Sequence, residues 1–273
     1  MPDQPRQPDI VKALGVKPQI EPQAEIERRV DFLVDYLRRA GAKALVLGIS
    51  GGLDSTVCGR LCQLAVERLR ASGGQARFHA VRLPHGEQND AEDASAALAF
   101  IAPDHTLDVD IAPATEGMKQ ALAASGLAFD DESQQDFVLG NVKARQRMIA
   151  QYAVAARHHG LVVGTDHAAE AVMGFFTKFG DGAADLMPLT GLSKRQVRAL
   201  GEALDAPAHL VNKQPTADLE SLQPQRSDEA ALGVSYAQID NFLEGGEIDD
   251  AARRSIISAY AASAHKRALP AAP

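Results

Sequence analysis

A doubly wound α/β fold, with a mainly parallel sheet and helices on both faces, is predicted by three features of the chain. Short apolar runs of strand length alternate with segments of helical period. Two of those runs, Ala44–Leu47 and Leu161–Gly164, pass directly into polar turns that open helices. Polar groups also cluster just after strand ends, where ligands gather in an open parallel sheet.

The elements follow in order. Pro2, Pro5, Pro8 and Pro18 predict an extended arm over 1–21. A helix over Pro22–Ala40 carries Ile26, Val30, Leu33 and Leu37 on one face and stops at Gly41. The strand 44–48 leads into a glycine turn, after which Val57, Leu61, Leu64, Ala65 and Leu69 recur at helical spacing. A strand over Arg77–Leu83, a helix over Gln88–Ile101 and a strand over Leu107–Ile111 come next. Glu132–His159 reads as a long helix or helix pair, in which Asn141, Lys143, Arg145, Gln146 and Arg147 lie among apolar residues. That run suits a solvated face, an anion-binding helix or a dimer surface. The stretch Asn212–Arg226 has two prolines and no clear period, as a lid would. A single domain over 1–273 is expected, with a frayed tail at 269–273.

At 273 residues, 45% hydrophobic and 23% charged, the chain can bury a sizeable core. It has no apolar run of about 18 residues and no signal-peptide pattern at its start, so a cytoplasmic protein without a membrane span is expected. A net charge of −8 argues against a general nucleic-acid surface, which needs a dense basic patch. Cys58 and Cys62, four apart without a nearby Cys or His cluster, read as buried core thiols rather than a zinc site.

The chemistry concentrates in the turn Gly48, Ile49, Ser50, Gly51, Gly52, Leu53, Asp54, Ser55. The first N–H groups of a helix lack intrahelical partners and carry the positive end of its dipole. Two glycines without Cβ allow an oxyanion to approach that backbone, two hydroxyls add donors, and Asp54 offers a carboxylate for Mg²⁺. No lysine follows the glycines, so this is not the G-x-x-x-x-G-K-[ST] loop. A plain structural βα turn remains open on these residues alone. A second turn, Thr165 to Glu170, supplies further nucleotide- and metal-binding types, though Thr165 and Asp166 could be caps and His167 a helix-start residue. Gly174 to Gly182 sets paired aromatics beside Lys178 and a Gly-Asp-Gly turn, which suits stacking and phosphate contact.

The S-G-G-x-D-S turn resembles the pyrophosphate loop of the N-type ATP pyrophosphatases, whose fold is adenine-nucleotide alpha-hydrolase-like. Together with Val81–Pro84, Asn141–Met148, Gly164–Glu170, Gly174–Gly182, Pro215–Glu220 and His265–Arg267, it is similar to the ammonia-dependent NAD synthetase family over about residues 8–268. The resemblance implies an amide-forming ligase. ATP adenylates the acid of deamido-NAD, pyrophosphate leaves, and ammonia displaces AMP in the last step of NAD biosynthesis. It implies ATP contacts at Gly48 to Ser55, Arg82, Thr165, Lys194 and Thr216, and Mg²⁺ on Asp54 and Glu170. It implies dinucleotide contacts at Arg145, Lys178, Asp185, His265 and Lys266, with Asp54, Lys178 and Lys194 closest to the chemistry. It further implies a homodimer with substrate at the interface, for which 132–159 is the candidate surface. Both cysteines follow the phosphate loop, leaving no glutaminase nucleophile, so free ammonia is the expected nitrogen donor. Leu53 fills the variable position of the motif. Another adenylating amidotransferase of the same fold, or a non-catalytic nucleotide-binding module, is the alternative reading.

Overall fold

The computed structural model describes residues 5–86, 90–216, 219–222 and 227–272. Its elements are α1 Gln7–Leu14, α2 Pro22–Ala40, β1 Ala44–Gly48, α3 Leu53–Ala71, β2 Arg77–Arg82, α4 Ala91–Ile101, β3 His105–Asp108, α5 Ala112–Ala124, α6 Glu132–Arg157, β4 Gly160–Val162, α7 Ala168–Met173, α8 Lys194–Ala203, α9 Ala208–Val211, α10 Asp228–Leu232, α11 Tyr236–Glu244, α12 Asp250–Ala262 and α13 Ala264–Arg267. All strand pairs are parallel, in the order β3-β2-β1-β4.

That order reverses direction at β1, so a crevice opens beyond the carboxyl ends of β1 and β4. The glycine turn 48–55 and the turn after Gly164 both lie there. Side chains alternate along each strand, which divides the core into two layers. Leu45, Leu47, Phe78 and Ala80 face a core built with α2, α3 and α8. Val46, Val81 and Val162 face the other side, against Ala155 of α6. Apolar residues of α1, α7, α11 and α12 make a separate cluster around Ile10, Val172 and Phe242. Among the described residues no helix is long and apolar enough to cross a membrane.

Four expectations need correction. The arm 1–21 is not extended throughout, because residues 7–14 form α1. Proline is tolerated in a first helical turn, where its missing N–H has no intrahelical acceptor to lose. Pro8 sits there, Ile10 is fully buried, and Gln7 donates to the Phe242 carbonyl at 2.7 Å. The strand expected at 107–111 is β3 at 105–108, since Asp110 turns the chain by accepting from Gly86 N and Ala112 N at 3.1 and 2.9 Å. The helix expected from Gln88 starts at Ala91, and Gln88 itself lies outside the described residues. The strand expected over 161–164 is β4 at 160–162, and Val163 instead bridges to Leu186. Both cysteines are fully buried in the core, as expected.

On β2, the His79 ring is stacked between His105 and His158, at centroid distances of 4.7 and 4.1 Å. Burial and then the two neighbouring rings push His79 down from 6.5 to about 4. Its folded-state affinity for protons is thus below that of the unfolded chain, so the unfolded chain protonates first as pH falls. Stability from this residue is fully present above pH 6.5 and is lost progressively down to about pH 4. A His79→Gln variant should show a shallower fall in urea midpoint across that window than the parent chain; equal slopes would contradict the account.

Candidate active site

The turn after β1 owes its shape to local constraints. Gly51 has φ +81°, and a Cβ there would lie 2.5 Å from the Ala94 backbone nitrogen, so any side chain would both strain the turn and strike α4. Ser50 and Ser55 share a hydrogen bond at 3.2 Å, Gly52 N donates to Ser50 Oγ at 3.2 Å, and Thr56 Oγ1 donates to Gly52 O at 2.7 Å. Gln151 of α6 anchors the strand end by accepting from Gly48 N at 2.8 Å. The first turn of α3 is thereby presented to a cleft of about 510 Å³.

A charged cluster forms the floor of that cleft. Asp54, in the first turn of α3, receives a hydrogen bond from Lys194 Nζ on Oδ2 at 2.6 Å. Its Oδ1 is buried, has no hydrogen-bond partner among the described residues, and lies 3.5 Å from His167 Nε2. Glu170 Oε2 is 3.6 Å from the same nitrogen. His167 caps α7, with Nδ1 accepting from Glu170 N at 3.4 Å. The proton of the neutral ring then belongs on Nε2, facing both carboxylates.

These groups displace one another's protonation. Burial pushes the Asp54 carboxyl up, but Lys194 and His167 outweigh it and hold it below the usual range. Burial, Asp54 and Asp166 push Glu170 well up, and burial with Asp181 and Asp54 pushes Asp166 to about 8. Lys194 is opposed by burial yet held above the usual lysine range by Asp54 and Glu170. Burial drives His167 down to about 4. Among the described residues, the floor therefore holds more acid groups than the single buried ammonium of Lys194. The ligand atoms of Asp54, His167 and Glu170 lie within 4.8 Å of one another. Two carboxylates pushed apart in protonation, one with an orphaned oxygen, fit a hard divalent cation.

The sequence-predicted residues fall into three groups. Gly48 to Ser55 (Gly51 excepted), Thr165, Glu170, Lys194, Thr216 and Lys266 line the cleft. Gly51 instead faces the backbone of α4. Arg145, Lys178 and His265 meet on an exposed rim: Arg145 donates to the Lys178 carbonyl at 3.2 Å, and Lys178 Nζ donates to the His265 carbonyl at 2.5 Å. Arg82 and Asp185 stand apart from the lining. Arg82 pairs with Asp108 at 3.4 Å, and Asp185 accepts from Val162 N at 2.8 Å, fastening the end of β4.

Other participants escaped sequence reasoning in whole or in part. The sequence offers His167 both as a member of a nucleotide- and metal-binding type of turn and as a helix-start residue, and its place beside Asp54 joins α7 to the distant start of α3. Lys213 lines the cleft and pairs with Asp90 and Asp93 at 3.2 and 2.8 Å across some 120 residues of chain. Asp228, also at the cleft, accepts from Tyr236 OH at 2.9 Å while the Tyr236 ring lies 5.3 Å from Lys194 Nζ. No local spacing marks these pairs. Of the stretch 212–226, residues 217–218 and 223–226, including Ala217 and Asp218 of the resemblance, lie outside the described residues.

Comparison with known proteins identifies the family. The family model described as NAD synthase matches residues 25–270. An NH(3)-dependent NAD(+) synthetase of Streptomyces coelicolor is 61% identical over 98% of this chain and 97% of its own. The crystal structure of an NAD+ synthetase from Burkholderia pseudomallei superposes with a TM-score of 0.85 at 59% identity, covering 99% of each chain. An NMN synthetase from Francisella tularensis has a TM-score of 0.80 at 34% identity, covering 93% of this chain and 99% of its own.

The charge balance of the floor makes a prediction. Asp54→Asn removes an attraction to Lys194 but also a repulsion toward Glu170 and Asp166. Its unfolding free energy should fall by no more than about 2 kcal/mol in a denaturant titration, less than the ~3–5 kcal/mol of an uncompensated buried pair. A larger loss would refute the balance.

Proposed function

The chain belongs to the NAD synthase family, and from that premise we propose that it amidates deamido-NAD with ammonia at the expense of ATP. One observation carries the reading. The S-G-G-x-D-S turn, which presents a helix N-terminus without a following lysine, lies over a buried floor where Lys194 supplies the cation from α8. The phosphates of ATP rest on the backbone and hydroxyls of residues 48–55, with Thr165 and Thr216 on the same cleft wall.

In the first step, a carboxylate oxygen of deamido-NAD attacks the α-phosphorus of ATP. The bond to the bridging oxygen breaks, pyrophosphate leaves, and an acyl-adenylate remains. In the second, ammonia attacks the acyl carbon, AMP departs with the bonding pair, and the surplus proton is lost to solvent. Catalysis of the first step is positioning and charge stabilisation. Lys194, fixed by Asp54 and shielded from water, presents a charge to the polyphosphate that needs no reorganisation. When bound, Mg²⁺ would be held by Asp54 and Glu170 and would offset phosphate charge.

Lys266 also lines the cleft, donating to the Gly174 and Phe176 carbonyls at 2.9 and 2.8 Å. It and the rim group Arg145, Lys178 and His265 receive the dinucleotide, whose diphosphate needs cations. Arg82 and Asp185, engaged elsewhere, contribute only if they exchange partners. The protein works as a cytoplasmic homodimer. Support for the homodimer comes from Phe137 and Ile149 on α6 and Met118 on α5, large apolar side chains left exposed that a second subunit would cover, Phe137 also lining the cleft.

Two experiments test this. Pyrophosphate release from ATP with Mg²⁺ and ammonium should require deamido-NAD, and nicotinic acid mononucleotide should not replace it; release independent of the dinucleotide would overturn the assignment. In the same assay Asp54→Asn should lower turnover by roughly 100-fold or more. Lys266→Ala should raise the KM for deamido-NAD by about tenfold, the value of one charge-assisted hydrogen bond, with a smaller change in kcat. An unchanged KM would remove Lys266 from the substrate site.

A further inference from the structure

One face of α6 is built as a receptor for a backbone segment. Asp136, Gly140 and Lys143 are spaced by four and three residues, so they lie along a single stripe of the helix. Asp136 accepts from two consecutive backbone nitrogens, Ser221 N through Oδ1 at 2.8 Å and Leu222 N through Oδ2 at 2.7 Å. Lys143 is only 6% exposed, and its Nζ donates to the Leu219 carbonyl and to Ser221 Oγ, both at 2.8 Å. Between them, Gly140 lets the segment sit directly on the helix, since a Cβ there would stand 3.2 Å from the Leu219 carbonyl oxygen. Leu219 and Glu220, held this way, line the same cleft as the glycine turn.

These contacts are mostly to backbone atoms, so they recognise the position of the segment rather than its side chains. All four hydrogen bonds are charge-assisted, and Lys143 is shielded from solvent. Such an arrangement costs burial of an ammonium, which a segment with no task would not need. A cleft that forms an acyl-adenylate has one: water attacks the same acyl carbon as ammonia, returning the acid and AMP with ATP wasted.

We propose that Asp136, Gly140 and Lys143 are positioning residues that seat residues 219–222 over the cleft and so keep water from the adenylate until ammonia arrives. The proposal rests on the amidation reading above. It gives the basic run of α6 a task distinct from substrate contact. Hydrolysis and aminolysis draw on one intermediate, so the ratio of pyrophosphate released to NAD formed reports the seating directly. A merely structural weakening slows both products together and leaves that ratio at unity.

The test uses Asp136→Asn, which keeps shape while removing the charge, and Lys143→Met, which keeps the apolar stem while removing the donor. Either should reduce the seated population by roughly tenfold, the weight of one charge-assisted bond. At limiting ammonium the pyrophosphate-to-NAD ratio should rise to at least twice the parent value, and it should return toward unity as ammonium saturates. Thermal melts confirm that each variant is folded. Variants that lose turnover with the ratio still at unity, or that match the parent throughout, overturn the proposal. A parent enzyme that makes no NAD from deamido-NAD and ammonia overturns the amidation reading itself, and the proposal with it.

Discussion

The 2.6 Å pair between Asp54 and Lys194 is the interaction on which the site depends. Each partner belongs to a helix start, one at α3 and one at α8, and 140 residues of chain separate them. Lys194 is 3% exposed, a burial tolerable only because a carboxylate meets it. The backbone of α8 is pinned in turn by Asp240, which accepts from Lys194 N and Arg195 N at 2.9 Å. Further back, Arg29 of α2, itself buried, donates to the Pro188 and Thr190 carbonyls in the turn that leads into α8. The ammonium is aimed by a framework that reaches to the first layer of helices.

An excess of acids around one buried cation explains the spread of protonation in the floor. Asp54 is held ionised while Glu170 and Asp166 are pushed toward their neutral forms. Such a set is costly as a structural core and suits a place where positive charge is delivered during a reaction. The absence of a lysine in the glycine turn follows from the same design. The buried cation beside the turn comes from α8 instead of from the loop.

Different parts of α6 meet different demands. Its inward face supports β1 and β4, Gln151 anchors the strand end before the glycine turn, and Asp136 and Lys143 hold the segment 219–222. Asn141 also accepts from Thr177 Oγ1 at 3.0 Å, tying the helix to the turn that carries Lys178. A polar and basic run on a long helix thus reads locally as a solvated face although several of its members are engaged.

Much was legible from local pattern. The α/β class, the limits of α2 and β1, the glycine turn and the buried thiols all follow from periodicity, caps and the conformational freedom of glycine, which act over a few residues. Asp54, Thr165, Glu170, Lys194 and Thr216, which the motifs single out, line one cleft. Tertiary structure decided the remainder. Whether Pro8 ends or begins a helix depended on a distant core to receive Ile10. Arg145, Lys178 and His265 gather on the rim while Arg82 turns to Asp108, because strand and helix packing sets where a long side chain can reach. The pairings of His167 with Asp54 and of Lys213 with Asp90 and Asp93, and the seat on α6, join residues far apart in the chain. Their energies arise from burial and distance, which no sequence spacing encodes.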